Sequence, residues 1–221
     1  MQTTDTSFKQ RLITFLVDQA HHPRGIAGWA NGWMFALRPS NRTRNRWAVR
    51  LLDVQPTDRV LEIGFGPGIA IAELARRATR GHVFGIDHSR AMVRHAARRN
   101  AAAVRARRVH LTQAPVEQLP DFGGPLDAVL AVNSTGFWPD PVERLGELRR
   151  LLRPAGRIAL VSQPRCPGAT HESTARAARE LADLLTQAGF TRIRIETLEL
   201  KPPATCVLAT SPATSPAAAP S

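Results

Sequence analysis

At 221 residues and 24.2 kDa, with 43% hydrophobic residues, the chain suits one α/β domain with a modest elaboration and leaves no room for a second full domain. No apolar run is long enough to span a bilayer, and the N-terminus, with Asp5 and no early apolar core, lacks the layout of a secretory signal; a cytoplasmic protein is expected. The formal charge of +12 is carried almost wholly by arginine, beside only Lys9 and Lys201, and two cysteines, Cys166 and Cys206, without a C-x-x-C or matching histidine spacing suggest neither a zinc site nor a disulfide framework.

Arginines scattered along helices beside alanines read as a solvated face, with the Arg94–Arg108 cluster as a candidate patch for anionic surfaces; nucleic acid is a possible but not a favoured partner. In chain order, apolar residues at 8, 12, 13, 15, 16 and 17 predict an amphipathic helix over 8–20, ended by His21-His22-Pro23. The adjacent histidines point apart, so an exposed pair is expected in place of a metal site. Trp29, Trp33, Met34 and Phe35 then concentrate aromatic and flexible apolar surface, and a helix follows Pro39-Ser40, with Asn41 as its cap, to about Val54. Residues 1–45 thus read as a strandless N-terminal helical cap.

From Asp58 onward strands alternate with helices, as a doubly wound sheet requires. Strands are expected at 59–63, 83–87, 109–113, 127–132, 157–161, 191–199 and 205–209, and helices at 69–78, 89–101, 141–152 and 172–188. The 114–126 link is rich in Pro and Gly and reads as loop, and Gly189 has the place of a helix C′ residue. Thr210–Ser221 contains only Ser, Thr, Pro and Ala and is expected to be a disordered tail, which bounds the core domain at 46–209.

The central stretch is Val60-Leu61-Glu62-Ile63-Gly64-Phe65-Gly66-Pro67-Gly68-Ile69. It reads as a buried strand, a glycine turn and a helix N-terminus, which lets backbone approach a ligand closely and offers it unpaired N–H groups. The G-x-G-x-G spacing departs from the dinucleotide fingerprint, whose third glycine falls where Ile69 stands, and so disfavours a nicotinamide oxidoreductase. Glu62 before the glycines and Asp87 at the end of the next strand complete the pattern.

With these motifs the chain resembles the class I S-adenosylmethionine-dependent methyltransferases, in the small-molecule branch that includes the ubiquinone/menaquinone enzymes, over about 46–209. The resemblance implies a Rossmann-like, doubly wound seven-stranded sheet and S-adenosylmethionine as cofactor. Gly64, Gly66 and Gly68 would hold its methionine and ribose portion. Asp87 would accept from both ribose hydroxyls, against the competing reading of a helix cap before Ser89. His88 would lie beside the adenine, or be a lone surface histidine. The family's Gly-Asp-Ala-Glu after strand three is Ala114-Pro115-Val116-Glu117 here, so Pro115 removes the adenine-amino contact, leaving the Val116 backbone N–H and Gln113 to face the ring. Leu152-Arg153-Pro154-Ala155-Gly156 resembles the family's turn before strand five, with Gly156 keeping the turn residue.

The resemblance also makes Trp29, Trp33 and Met34 either acceptor-pocket walls or packing for the cap. Asn133 is the polar group expected at the methyl-transfer site, with Phe137 or Trp138 facing the sulfonium, although core packing competes for Trp138. Were a general base needed, His171, Glu172 and His21 are available, and Cys166 lacks the neighbours of a covalent nucleophile. The expectation is methyl transfer to a small, partly apolar molecule. Its rivals are an RNA or protein acceptor and an accessory subunit that binds the cofactor without turnover.

Overall fold

A computed structural model describes residues 39–164 and 169–213. The expected helix 8–20, His21, Trp29, Trp33, Met34, Cys166 and most of the tail lie outside the described residues. Helix α1 (Pro39–Leu51) precedes β1 (Arg59–Ile63), α2 (Ile69–Arg77), β2 (His82–Asp87), α3 (Arg90–Arg99), the short α4 (Ala101–Arg105) and β3 (Val109–Gln113). After an irregular link come β4 (Leu126–Val132), a 3-10 turn at Thr135–Phe137, α5 (Pro141–Leu151), β5 (Leu152–Ser162), α6 (His171–Gln187), β6 (Thr191–Leu198) and β7 (Ala204–Thr210).

The seven strands form one sheet in the order β3-β2-β1-β4-β5-β7-β6, with β7 antiparallel to both of its neighbours and the remaining pairs parallel. Strand β1 is buried at every position after Arg59, because helices cover both faces of a parallel sheet. Alternate residues serve two cores. Val60, Val83, Ala128, Leu130 and Val161 face Trp47, Leu52, Ile71, Leu74 and Met92 of the α1–α3 side. Leu61, Ile63, Ile86, Val129 and Leu160 face Leu145, Leu148, Leu181 and Leu185 of α5 and α6. Glu62 shares the first parity, so its side chain turns toward the layer of α1 and α2.

The sheet reverses its winding between β1 and β4, and an open α/β sheet binds ligands at such a switch point, beyond the carboxyl ends of the strands. Register makes those ends level: Ile63 lies opposite both Ile86 and Ala131, Asp87 opposite Gln113, and Val132 opposite Val161. The residues that follow, Gly64, His88, Ala114, Asn133 and Ser162, therefore emerge along one edge.

Several local expectations are corrected. Asn41 lies inside α1 and does not cap it, and its Oδ1 accepts from the Asn45 side chain at 3.0 Å and from Arg44. The helix expected over 89–101 ends at Arg99, where Asn100 turns its Nδ2 onto the carbonyls of Ala96 and Gly68 (2.9 and 3.1 Å), and α4 restarts the chain. Strand β5 begins at Leu152 in place of 157, because Leu152 pairs with Leu126 ahead of an irregularity in the register. Within it Ala155 takes the left-handed conformation, φ 60°, whereas Gly156 is required for room: a Cβ there would stand 2.8 Å from the Arg153 carbonyl oxygen. Gly189, φ 81°, does terminate α6, with Gly189 and Phe190 N–H groups returning to the carbonyls of Thr186 and Leu185, both at 3.0 Å.

Gly85 sets how closely the glycine turn packs on β2, since an added Cβ would stand 2.7 Å from Phe65 Cδ1 and 2.9 Å from Ile71 Cδ1. Gly85→Ala is expected to lower stability by about 1–3 kcal/mol through overpacking. Urea melts should show this as a lower midpoint at unchanged slope; an unchanged midpoint would mean that the turn yields without cost.

Candidate functional site

The three glycines after β1 all have positive φ, at 69°, 52° and 74°, but they do different work. A Cβ on Gly64 would stand 2.5 Å from Ser134 Cβ, and one on Gly68 would stand 2.6 Å from Ala96 Cβ. These two therefore allow the turn to pack against the segment after β4 and against α3. A Cβ on Gly66 would meet nothing within 4 Å, so only Gly66 presents bare backbone to open space. That is the cradle in which a ligand can approach the chain.

Asp87 fixes this turn. Its Oδ2 accepts the Gly66 N–H at 2.8 Å and its Oδ1 accepts the Ser89 N–H at 2.9 Å, so the carboxyl at the end of β2 faces the turn. The cap of α3 is Ser89, which accepts from the Met92 N–H. Asp87 is thus a turn-holding carboxylate with a lone pair remaining on each oxygen. Burial raises its pKa, opposed by the Ser89 and Gly66 N–H groups and by His88, whose Nδ1 lies 3.7 Å away.

Glu62 lies in β1 with only 2% of its surface exposed, and its Oε2 accepts no hydrogen bond. Burial, and then the nearby Asp87 charge, raise its pKa well above the ordinary carboxyl value, opposed by the Ile71 backbone N–H at the start of α2. A cleft of about 140 Å³ opens over it, lined by Asn41, Arg44 and Asn45 of α1 and by Glu62, Gly64, Phe65, Pro67, Ile69 and Val132.

The remaining sequence candidates separate into near and far. His88 is exposed beside Asp87, and its carbonyl accepts from Gln113 Nε2 at 3.2 Å, which occupies the side chain expected to face an adenine. Val116 is buried in the core on the α5–α6 side, in a link tied to β2 by the Ala114 N–H on the Asp87 carbonyl at 3.1 Å. Asn133 reaches the same edge in a left-handed conformation, φ 54°, and its Oδ1 accepts the Gln163 N–H at 2.8 Å. Trp138 belongs to the core, whereas Phe137 is 58% exposed on the 3-10 turn that follows Ser134.

His171 is not brought to the glycine turn. It is exposed at the start of α6, 3.5 Å from Glu199, which follows the edge strand β6. Four strand spacings, roughly 19 Å at about 4.8 Å each, separate β6 from β1. Glu172, next to it, is exposed as well.

Sequence reasoning missed the polar face of α1 and its support. Arg44 is 4% exposed and donates from Nη1 to Gln163 Oε1 at 2.6 Å, while Gln163 Nε2 donates to the Pro202 carbonyl at 2.8 Å. The signal was present: Asn41, Arg44, Asn45 and Ala48 fall at i, i+3, i+4 and i+7, which places three polar residues on the inward stripe of a helix that also buries Ala48 and Val49. Such residues inside an apolar period mark a polar cavity.

Comparison with known proteins agrees with this geometry. Residues 60–156 match the family model described as a methyltransferase domain. The chain is 34% identical over 181 residues to the uncharacterized methyltransferase YdaC of Bacillus subtilis, covering 81% of this chain and 98% of that one. It is 30% identical over 128 residues to the ubiquinone/menaquinone biosynthesis C-methyltransferase UbiE of Geotalea daltonii, spanning 57% of this chain and 54% of that one. Its fold matches that of the N-methyltransferase NodS of Bradyrhizobium japonicum, solved with S-adenosyl-L-homocysteine, at a TM-score of 0.63 and 15% identity, covering 81% of this chain and 91% of that one.

The electrostatics of Glu62 give a test of the site without any ligand. A carboxyl whose folded pKa is raised leaves stability complete at low pH and removes it as pH rises from the ordinary value of 4.5 through the folded value. Glu62→Gln, neutral at every pH, should therefore match the wild type in stability near pH 4 and exceed it increasingly toward neutrality, read from urea melts at a series of pH values. A stability difference independent of pH would show that the Glu62 carboxyl is not held neutral by burial.

Proposed function

We propose that this chain, which belongs to the class I S-adenosylmethionine-dependent methyltransferases and is an enzyme with S-adenosylmethionine as cofactor, acts on a small, partly apolar acceptor. The observation that carries the acceptor class is Phe137, a large apolar side chain 58% exposed on the 3-10 turn whose preceding residue, Ser134, abuts Gly64. An exposed aromatic at the rim of a cofactor turn is apolar surface that an acceptor would cover. The relative named for ubiquinone/menaquinone biosynthesis supports the same class.

The residues present fit the cofactor. Gly66 leaves room beside bare backbone, Asp87 offers a carboxylate with acceptor capacity for the ribose hydroxyls, and Glu62 brings an unbonded carboxyl oxygen to the adjoining cleft. Gly64 and Gly68 hold the turn in place. His88 and the Val116 backbone N–H would lie beside the adenine, and Asn133 ties the ends of β4 and β5 through the Gln163 N–H. When bound, S-adenosylmethionine supplies a methyl group on a sulfonium, already activated for displacement. The chain's share is to bind the acceptor in line with that methyl group and to exclude water. Among the described residues no helix is long and apolar enough to cross a membrane, and we place the reaction in the cytoplasm.

Two measurements test this reading. In titration calorimetry with S-adenosylmethionine and S-adenosylhomocysteine, Asp87→Ala should weaken binding roughly 100-fold, the loss of hydrogen bonds to a charged group; equal affinity would remove Asp87 from the site. With methyl-labelled cofactor, label should pass to an electron-rich aromatic ring bearing an apolar chain, and faster with wild type than with Phe137→Ser. Transfer to RNA alone would overturn the small-molecule class and turn attention to the exposed Arg76, Arg94 and Arg98 on α2 and α3.

A further inference from the structure

Ile195 belongs to neither core, yet it is a large apolar side chain with 46% of its surface exposed. It lies in β6, the last strand of the sheet, whose outer row of N–H and C=O groups has no strand partner among the described residues. An open edge of this kind is a template for another strand, and proteins blunt it with proline, lysine, bulges or shortness. Strand β6 spans Thr191–Leu198 without a proline or a lysine. Its irregularity is confined to one end, where Arg192 takes φ 54° and the register slips between Thr191 and Arg194. From Arg194 to Leu198 each residue has its partner on β7, so the opposite side of the same stretch offers a regular ladder.

The side chains of that ladder complement themselves. Ile195 stands on the α6 side of the sheet, opposite Val207, and Ile193 packs against the same core. Arg194 and Glu196 stand on the other side, opposite Leu208 and Cys206, with Arg194 Nε 3.5 Å from Glu196 Oε1 in the open. An exposed pair of this kind contributes little within one strand. When β6 is laid antiparallel against its own copy with Ile195 on the two-fold axis, Arg194 of each copy falls across from Glu196 of the other, and Ile193 across from Thr197. Opposite charges facing each other across a strand pair stabilise it, and like charges weaken it. The opposite edge of the sheet has no such balance. Strand β3 follows Arg105, Arg107 and Arg108, and the sequence has no carboxylate between Asp87 and Glu117, so self-pairing there would bring like charges together.

We infer that β6 is the docking edge for a second copy of this chain, joined antiparallel about Ile195 so that the two sheets become one. The contact is isologous and closes at two copies, which uses up an edge that would otherwise recruit further strands. The helices leave room for it. Helix α6 packs chiefly over β7, one strand in from the edge. The two copies of α6 would then lie about three strand spacings, roughly 14 Å, apart, against about 8–10 Å for helices in direct contact. Ile195 of both copies fills the space between them, which removes its apolar surface from water. The two-fold axis stands perpendicular to the sheet, so the ligand edges of the two copies point in opposite directions. Four strand spacings, roughly 19 Å, separate each glycine turn from β6, and both turns stay open. Each copy therefore keeps its own site, and pairing does not enter the chemistry.

Sedimentation equilibrium of the full chain tests the pairing. An edge contact is smaller than a standard interface, so the wild type should dimerise with a dissociation constant on the order of 1–50 μM. Arg194→Glu and Glu196→Arg, each alone, would set like charges across from one another twice over, and each should weaken the dimer at least about 10-fold. In an equal mixture the acidic pair of one variant faces the basic pair of the other, so a heterodimer should form with close to the wild-type affinity. Ile195→Lys should prevent association alone and in every mixture. All these positions are exposed, so each variant should keep the wild-type far-ultraviolet circular dichroism. A wild type that stays monomeric at about 200 μM would overturn the inference and leave the edge to a strand of a different protein. A dimer that survives both single charge reversals, or a mixture of the two variants that fails to associate, would overturn the pairing about Ile195.

Discussion

The hydrogen bond from the Gly66 N–H to Asp87 Oδ2, at 2.8 Å, is the constraint on which the site depends. It joins a backbone group on the turn after β1 to a side chain at the end of β2, and it is possible only because the parallel register brings Ile63 level with Ile86. A shift of β2 by one residue would turn Asp87 toward the α5–α6 layer and exchange Val83 and Ile86 between the two cores. The alternation of two dry layers along β1, β2 and β4 therefore fixes the position of the polar groups at their ends. Packing of the sheet is what makes the chemistry of its edge reproducible.

The second consequence of that alternation is a buried carboxyl under helix α1. Glu62 occupies a position whose neighbours of the same parity are apolar, and burial raises its pKa well above the usual range. An apolar residue there would make a more stable protein and a less useful one, since a carboxyl in low dielectric interacts strongly with whatever cation reaches it. Stability given up at a site of this kind is what functional positions commonly show. The polar face of α1 belongs to the same arrangement, because a helix that buried only apolar residues at 41, 44 and 45 would close the cleft.

Arginine, which in composition reads as a surface excess, has a partly structural role. Arg108 Nη1 donates to the Ala75 carbonyl in the last turn of α2, Arg149 Nε to the carbonyl of Ala188 just past α6, and Arg99 Nε to the Pro67 carbonyl in the glycine turn. Each satisfies a carbonyl that a helix end or a turn leaves without an intrahelical donor. Arg157 ties β5 to the loop before β1 through the Asp53 carbonyl at 2.6 Å and the Asp58 carboxylate. Other arginines remain exposed, among them Arg94 and Arg98 on α3. A net charge of +12 thus does not by itself indicate a polyanionic partner.

The sequence alone determined the elements of the sheet from β1 onward, because buried parallel strands read as short apolar runs and the helices between them show a 3.6-residue period. It also determined which residues would emerge at the ligand edge: Gly64, Gly66, Gly68 and Asp87 stand at strand ends, and a strand end is a local property. Separate roles for the three glycines were not legible, since these depend on whether Ser134, Ala96 or open space lies across from the missing Cβ, a matter of contacts 28 to 70 residues away in the chain. Equally hidden was the remoteness of His171, which follows from β7 inserting between β5 and β6. The convergence of Arg44 with Glu62 and Gln163 was decided only in three dimensions, because pairing between groups so distant in sequence is fixed by how α1 packs on the sheet and leaves no periodic trace.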